Sequence, residues 1–316
     1  MTANEIREDL VATATSNNSV CAPATAITCL PMQEAVMDDW AIARIGPVDL
    51  LEIGIPCSGA SVAGAAKRGL TRMEDHPLVG HLVAAAIQWI AALQPAILFI
   101  ENVSPYSRSA SAAILRAWLR DAGYRVQEVE LDARLFGSLE HRVRWFLVAH
   151  PASLDLNLND LAPASVEGGQ LGVVLDDIAP DDPRFRRAEY LLAKERRDEA
   201  RGNGFRNQWL DATSTSVPTL RKGYHKGGST DPRLRHPTNP ALSRLLTAAE
   251  HARIKGIPDT LLAGVSETTA HQICGQSVDT RPVRAVGQRI GQALLRFAAM
   301  ETTFPPEATI ASAVAA

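Results

Sequence analysis

A cysteine stands on a turn of small residues directly after an apolar run, in the stretch "LLEIGIPCSGAS" (50–61). The apolar run ends in Gly-Ile-Pro, and Cys57 follows Pro56. Most free cysteines are small, buried, apolar side chains. A cysteine held out at the end of a strand can instead supply a thiolate, which is the nucleophile of cysteine-dependent catalysis. This stretch alone leaves both interpretations of Cys57 open.

A glutamate follows a second apolar run, in "LFIENV" (98–103). Glu101 comes directly after five apolar residues, so its carboxyl group is expected to be partly removed from water and to need a partner. Desolvation raises the pKa of a carboxyl group and lets it donate a proton near neutral pH. Glu101 is therefore a candidate general acid, the alternative being a surface carboxylate or a helix cap.

The elements that position these two residues alternate between strand and helix. Short apolar runs, and one run of alternating polarity, predict strands at residues 48–54, 96–100, 125–131 and 142–150. Helical spacing occurs at 79–93 and 109–124, and it returns at 241–256 and 281–299. The β-α-β-α-β order predicts a doubly wound α/β sheet. Because ligands bind outside the carboxyl ends of such strands, Cys57 and Glu101 are predicted to share one site.

The composition is that of an ordinary soluble globular protein, with 46% apolar and 21% charged residues. No apolar run is long enough to span a membrane, and the N-terminus shows no signal peptide, so a cytoplasmic protein is expected. Four dispersed cysteines without a CxxC pair argue against a zinc cluster or a disulfide framework, and no metal is expected.

Positive charge is concentrated between residues 184 and 236, where thirteen Lys and Arg face six Asp and Glu, a net charge of +7. The chain as a whole carries −3, so the remainder carries −10. Part of this segment is typical of a solvated helix with paired charges. The glycine-rich stretch 221–237 is predicted to be a flexible basic loop, which suits a phosphate backbone.

Five stretches, taken in chain order, together resemble the motifs of the DNA cytosine-5 methyltransferases. They are "GIPCSGAS" (54–61), "IENV" (100–103), "FGSLEHRVRWFLVA" (136–149), "RLLTAAEHARIKGIPD" (244–259) and "GQSVDTRPVRAVGQRIGQAL" (275–294). The third resembles the family's Gln-x-Arg-x-Arg motif, with Glu140 in place of the glutamine. The resemblance implies the mixed α/β sheet of S-adenosylmethionine-dependent methyltransferases. It also implies a catalytic domain at 1–154, a target-recognition insert at 155–238, returning helices at 239–300 and a tail at 301–316.

The resemblance implies a role for each catalytic candidate. Cys57 would add to C6 of a cytosine flipped out of the duplex, so that C5 can take a methyl group from S-adenosylmethionine. Glu101 would hold the N3/N4 edge of the base and supply a proton. Arg142 would contact the base carbonyl, and Arg144 would support the site.

The resemblance also implies binding residues for the cofactor and for double-stranded DNA. The cofactor-binding candidates are Glu5, Gln33, Pro56, Leu82, Gln276, Ser277 and Val278. The DNA-binding candidates in the insert are Arg221, Lys222, Lys226, Arg233 and Arg235. The expected setting is DNA methylation in restriction-modification, by a monomer associated with the nucleoid.

One family feature is not found upstream of Glu5, namely the opening strand with its Phe-x-Gly-x-Gly loop. Three hypotheses therefore stay open. The chain is a methyltransferase, whose first strand is supplied by a separately encoded N-terminal fragment or lost through a wrongly assigned start. Alternatively, it is a degenerate homologue that binds DNA without methylating it. The third hypothesis is a different class of enzyme, a cysteine hydrolase in which Cys57 acts together with His81 or His141.

Overall fold

The computed structural model describes residues 2–21, 26–161 and 169–303 of the chain. The strands in these ranges form three sheets, of two, four and four strands. None of the helices described combines the length and the apolar character that a membrane span requires.

A small parallel sheet lies at the N-terminal end. It pairs β1 (Thr2–Asn4) with β2 (Ala26–Thr28). The helices of this part are α1 (Glu8–Asn17), α2 (Met32–Ala35) and α3 (Asp39–Ile45). The indole N–H of Trp89 donates to Met32 O at 2.9 Å, and this bond ties α2 to the α/β body.

A four-stranded mixed sheet forms the centre of the α/β body. Its strands are β3 (Leu50–Ile53), β4 (Ile97–Val103), β5 (Arg125–Asp132) and β6 (Val143–His150). Their spatial order is β3-β4-β6-β5, with β3 parallel to β4 and β6 antiparallel to both of its neighbours. The predicted α/β fold with a mixed sheet is confirmed.

Strand β4 is longer than predicted. Its hydrogen-bonded ladder with β6 continues to the pair Val103–Arg144, so the strand ends at Val103 and not at Ile100. Glu101 therefore lies inside the last part of the strand, where the backbone of β6 fixes its position. The sequence placed Glu101 after the strand because a glutamate interrupts the apolar run.

Helices cover both faces of the central sheet. They are α5 (Leu82–Leu93), α6 (Ala110–Asp121) and the C-terminal α10 (Thr280–Thr303), while the short α4 (Val62–Arg68) follows β3 in the chain. Trp89 of α5 and Leu115 of α6 belong to the core on one face, together with Leu98. On the other face Val286 of α10 packs in a second core with Phe99. The sheet is thus the middle of three layers, as in doubly wound folds.

A second four-stranded sheet lies in the basic part of the chain. Its strands are β7 (Arg186–Arg187), β8 (Trp209–Leu210), β9 (Arg233–Arg235) and β10 (Leu242–Arg244), in the order β7-β10-β9-β8. Helix α7 (Glu189–Ala200) lies between β7 and β8 in the chain. Because β10 pairs with β9, this sheet continues past residue 238, where the predicted insert ends.

The prediction of a flexible loop at 221–237 was wrong. The stretch contains a 3-10 turn at Tyr224–Lys226 and strand β9. Tyr224 explains the order, because its buried hydroxyl donates to Pro232 O at 2.8 Å and accepts from Leu246 N at 2.9 Å. One buried aromatic side chain thus connects two parts of the glycine-rich segment and ties the segment to Leu246.

The helix predicted at 241–256 is also wrong in its first half. Residues 242–244 form β10, and helix α8 runs only from Ala248 to Ile254. Thr247 and Glu250 form a capping box, in which each side chain accepts a hydrogen bond from the other residue's backbone N–H, and this fixes where the helix begins. Helix α9 (Glu267–Gln276) follows, and α10 reaches Thr303, inside the predicted tail at 301–316. Residues 304–316 lie outside the described residues.

Candidate active site

Cys57 lies on a tight turn between β3 and α4. The carbonyl of Cys57 accepts hydrogen bonds from Ala60 N at 3.0 Å and Ser61 N at 2.8 Å. The Ser61 hydroxyl then caps α4 by accepting from Gly64 N at 3.1 Å. Cys57 itself is exposed to solvent. The interpretation of Cys57 as a buried packing residue is therefore wrong, and its thiol is accessible on a fixed turn.

Asn102 anchors this turn to the neighbouring strand. Its side-chain amide donates to Ile55 O at 2.9 Å, and its amide oxygen accepts from Val103 N at 2.9 Å. Asn102 is buried, so neither bond competes with water. The position of Cys57 is thereby set by β4, the strand that carries Glu101. Sequence reasoning gave Asn102 no role, although its place beside Glu101 in "IENV" was a signal.

Glu101 and Arg144 form an ion pair at the edge of the central sheet. Val103 of β4 pairs directly with Arg144 of β6, so Glu101 is the diagonal neighbour of Arg144 on the same face. The distance from Arg144 Nε to Glu101 Oε1 is 3.0 Å, and the side chains are 14% and 21% exposed. Burial raises the pKa of Glu101, although Arg144 and Arg142 act in the opposite direction. Glu101 is thus placed to hold a proton at a higher pH than an ordinary glutamate.

Arg144 is linked electrostatically to Cys57 as well as to Glu101. Burial and the neighbouring Arg142 lower the pKa of Arg144 to about 10, whereas Glu101, Glu140 and Cys57 act to raise it. The turn that carries Cys57, which Asn102 anchors to β4, and the Glu101–Arg144 pair lie at the same end of the central sheet.

Arg142 donates its hydrogen bonds to a different segment of the chain. Its guanidinium donates from Nη2 to Ser277 O at 2.9 Å and to Gly275 O at 3.3 Å, and its side chain is only 4% exposed. Arg142 thus ties the beginning of β6 to the segment between α9 and α10. The structure brings Arg144 to Glu101 and brings Arg142 to the segment that carries predicted cofactor residues.

The predicted cofactor residues lie on several elements. Glu5 follows β1, and its Oε1 accepts from Arg7 N at 2.9 Å. The guanidinium of Arg7 donates to Gln272 Oε1 of α9 at 3.1 Å, which joins the N-terminal part to α9. Gln276 is exposed, and Pro56, Gln33, Ser277 and Val278 are half-buried. A carboxylate, amides and a hydroxyl are donors and acceptors that suit a ribose and an amino-acid group.

Leu82 differs from the other predicted cofactor residues. Its side chain is buried in the core at the start of α5, and its N–H donates to Val79 O at 3.2 Å. The structure gives Leu82 a packing role, and a cofactor contact at this position stays a prediction.

The predicted DNA-binding residues lie in the ordered basic segment. Lys222, Lys226 and Arg235 are exposed, and the Arg235 guanidinium lies 5.3 Å from the Trp209 ring centroid. Arg221 pairs with Asp231 at 2.6 Å, and Arg233 Nε donates to Ser243 Oγ at 3.1 Å. Arg221 and Arg233 thus also have partners within the protein.

Lys255 is a residue that sequence reasoning missed. It is completely buried, and its Nζ lies 3.1 Å from Glu140 Oε2. Glu140 in place of the family glutamine was the available signal, because a buried carboxylate needs a cation. In contrast, Cys274 is a buried packing residue, and burial raises the pKa of its thiol to about 11.

The hydrolase hypothesis requires a histidine side chain within hydrogen-bonding distance of the Cys57 thiol. His141 Nε2 instead lies 3.6 Å from Asp132, and no hydrogen bond joins Cys57 to His81 or His141 in the described parts of the chain. The geometry gives this hypothesis no support.

Comparison with known proteins identifies the family. The family described as C-5 cytosine-specific DNA methylase matches residues 2–292. The chain is 29% identical over 261 residues to the type II methyltransferase M.NlaX of Neisseria lactamica, covering 80% of this chain and 79% of that protein. It is 27% identical over 280 residues to the type II methyltransferase M.HpaII of Haemophilus parainfluenzae, covering 83% of this chain and 76% of that protein.

Solved structures show the same fold. The S. pombe Dnmt2 methyltransferase has a TM-score of 0.70 and 17% identity, over 93% of this chain and 91% of that one. The Entamoeba histolytica methyltransferase EhMeth has a TM-score of 0.63 and 14% identity, over 93% of this chain and 98% of that one. Because the family match spans nearly all of the described residues, this chain belongs to the C-5 cytosine-specific DNA methylase family.

Proposed function

We propose that this chain methylates C5 of cytosine in double-stranded DNA through a covalent bond between Cys57 and the base. The observation that carries the proposal is the exposed Cys57 on a turn that Asn102 anchors beside the Glu101–Arg144 ion pair. The type II methyltransferases that the chain resembles support duplex DNA as the substrate. The cytosine must leave the helix to reach such a site, so the reaction includes base flipping.

The reaction follows from the placement of these side chains. The Cys57 thiolate forms a bond to C6 while Glu101 gives a proton to N3, which leaves the electron pair of the ring at C5. When bound, S-adenosylmethionine supplies the electrophilic methyl group that C5 takes up. Loss of the C5 proton to solvent then expels the Cys57 thiolate, and Glu101 recovers its proton from N3. The raised pKa of Glu101 suits this role, because a glutamate must be protonated to begin the cycle.

We assign the base-contacting role to Arg144. Its Nε lies 3.0 Å from Glu101 Oε1, so a base held by Glu101 would come within reach of this cation. Arg142 is proposed to act on the cofactor side instead, since it holds the carbonyls of Gly275 and Ser277.

The segment between residues 155 and 238 is proposed to recognise DNA, with the C-terminal helices returning to the catalytic part. The exposed basic residues Lys222, Lys226 and Arg235 would contact phosphates. The backbone of Lys222 runs so close to Gly275 that a Cβ added to Gly275 would lie 2.2 Å from Lys222 N. The proposed DNA-binding surface would therefore adjoin the predicted cofactor segment.

Replacement of Cys57 tests the mechanism. Cys57→Ala should lose methyl transfer from tritiated S-adenosylmethionine to mixed-sequence genomic DNA, while DNA affinity in a filter-binding assay stays within about threefold of the unchanged protein. Cys274→Ala is the matched control, because that thiol is buried and should not affect transfer beyond its effect on stability. Methyl transfer by Cys57→Ala would refute the covalent mechanism.

We further propose that a separately encoded fragment adds a strand at the free edge of β3. In the described ranges β3 pairs only with β4, and Leu50 on this strand is 53% exposed. An unpaired apolar edge is a template for another strand. This proposal predicts that the β3 amides that face away from β4 exchange rapidly with deuterium in the chain alone. Exchange at these amides as slow as at the paired amides of β4 would contradict it.

A further inference from the structure

A buried carboxylate lies where three parts of the chain meet. Glu140 is fully buried at the entrance to β6. Its Oε1 accepts from Leu220 N at 2.7 Å and lies 3.6 Å from Arg142 Nη1. Its Oε2 lies 3.1 Å from Lys255 Nζ. One glutamate thus contacts the DNA-recognition segment, the β6 arginine and the end of α8.

Lys255 has no alternative partner for its charge among the described residues. Its Nζ makes no other ion pair and no regular hydrogen bond there, so Glu140 is the anion that compensates it. The carbonyl of Lys255 accepts from Thr280 N at 3.1 Å and Thr280 Oγ1 at 3.3 Å, which fixes the beginning of α10. Lys255 is therefore held at its backbone as well as at its ammonium group.

The proposed DNA-binding surface and the predicted cofactor segment both depend on the Glu140 carboxylate. Leu220 directly precedes the basic residues Arg221 and Lys222, and its N–H is held by Glu140. Arg142, which lies beside the same oxygen, donates to the carbonyls of Gly275 and Ser277. Glu140 thus has one contact toward the DNA-binding surface and one toward the predicted cofactor segment.

We propose that Glu140 and Lys255 are a matched pair of positioning residues. Because their charges compensate each other, Arg142 can donate to the cofactor segment, and the Glu140 carboxylate can hold Leu220 N. The inference rests on the proposed function for its catalytic consequences. It assigns no contact with substrate to either residue. Without Lys255, the buried negative charge would draw Arg142 from the Gly275 and Ser277 carbonyls, because a buried carboxylate needs a cation.

The same reasoning makes the pair dispensable when both charges are removed together. A buried ion pair replaced by neutral groups of similar volume is often tolerated, whereas loss of one partner leaves an uncompensated charge. Two glutamines can hydrogen-bond to each other, and the amide oxygen at position 140 can still accept from Leu220 N. The double substitution should therefore restore what each single substitution removes.

The test is a double-mutant cycle with Glu140→Gln, Lys255→Gln and both together. Lys255→Gln should raise the KM and the calorimetric Kd for S-adenosylmethionine by about tenfold or more, while kcat changes by less than about threefold. The double variant should return both values to within about threefold of the unchanged protein. Arg253→Gln is the matched control on the same helix, because its charge is partly exposed and paired with Asp176 and Asp259, and it should leave both values unchanged.

Two results would overturn the proposal. One is a cycle in which the effects of the two single substitutions simply add, so that the double variant is the worst of the three. The other is a Lys255→Gln variant that folds and keeps the cofactor Kd of the unchanged protein. If the proposed function itself fails, the unchanged protein will not methylate DNA, yet the cycle can still be measured in DNA affinity and in urea unfolding. Additive effects in those two measurements would then reject the pair on their own.

Discussion

Substitution of Gly275 tests how the proposed DNA-binding surface and the predicted cofactor segment fit together. A Cβ atom placed on Gly275 would lie 2.2 Å from Lys222 N and 2.4 Å from Arg221 C. Both are backbone atoms, so no side-chain rotation can relieve the contact. Gly275→Ala must therefore push the basic segment away from α9.

The expected loss of stability follows from this contact. Overpacking in a well-packed region costs about 1–3 kcal/mol, which corresponds to about 2–5 °C in Tm for a chain of this size. Gly287→Ala in α10 is the matched control, because nothing lies within 4 Å of its added Cβ. In a helix interior that change should stabilise the protein by about 0.5–1 kcal/mol.

The Tm and the DNA affinity are measured for both variants and compared. Gly275→Ala should lower the Tm and weaken DNA binding, since Lys222 is displaced, while Gly287→Ala should raise the Tm and leave DNA binding unchanged. If Gly275→Ala were as stable as Gly287→Ala and bound DNA normally, the close approach of the two segments would be refuted.

Two further predictions concern buried polar groups. Asn102→Ala leaves Ile55 O and Val103 N without a partner, so it should lower stability by about 1–3 kcal/mol and methyl transfer by about tenfold or more, measured against unchanged DNA affinity. A transfer rate like that of the unchanged protein would show that Cys57 does not need this anchor. Burial lowers the pKa of His251 from 6.5 to about 2. At a pH between these two values, His251 is protonated in the unfolded chain and neutral in the folded protein. The unfolding free energy should therefore fall with pH below about 6.5, by up to about 1.4 kcal/mol per pH unit, and His251→Gln should remove this part of the slope in urea titrations at pH 7.5 to 4.5. An identical slope in both proteins would contradict the assignment.

Several features were predictable because they depend on local pattern. The strand that leads to Cys57, the helices at α5 and α6 and the long α10 all follow from apolar periodicity and from serine or proline at their ends. Ser109, for example, caps α6 by accepting from Ala112 N at 3.0 Å. The placing of Cys57 and Glu101 at one edge follows from the strand order of such sheets.

Other features depend on contacts between distant residues, which periodicity does not report. The sequence could not show that β4 extends past Glu101, because that extension is fixed by pairing with β6. Nor could it show that Lys255 is buried, since "RIKG" is equally typical of an exposed helix end. The different partners of Arg142 and Arg144 likewise depend on the direction of each side chain, which their spacing of two residues does not indicate.

Because β6 lies between β4 and β5 in the sheet, the candidate site cannot assemble before β6 has been synthesised and paired. Strand β5 is made before β6, which is its one partner among the described strands, so β5 stays unpaired with those strands until residue 150 has been synthesised. The Glu101–Arg144 pair forms only when β6 enters this gap. A nascent chain therefore has no assembled candidate site while its central sheet is open, and separation of β6 from β4 in the folded protein would break the Glu101–Arg144 pair at the same time.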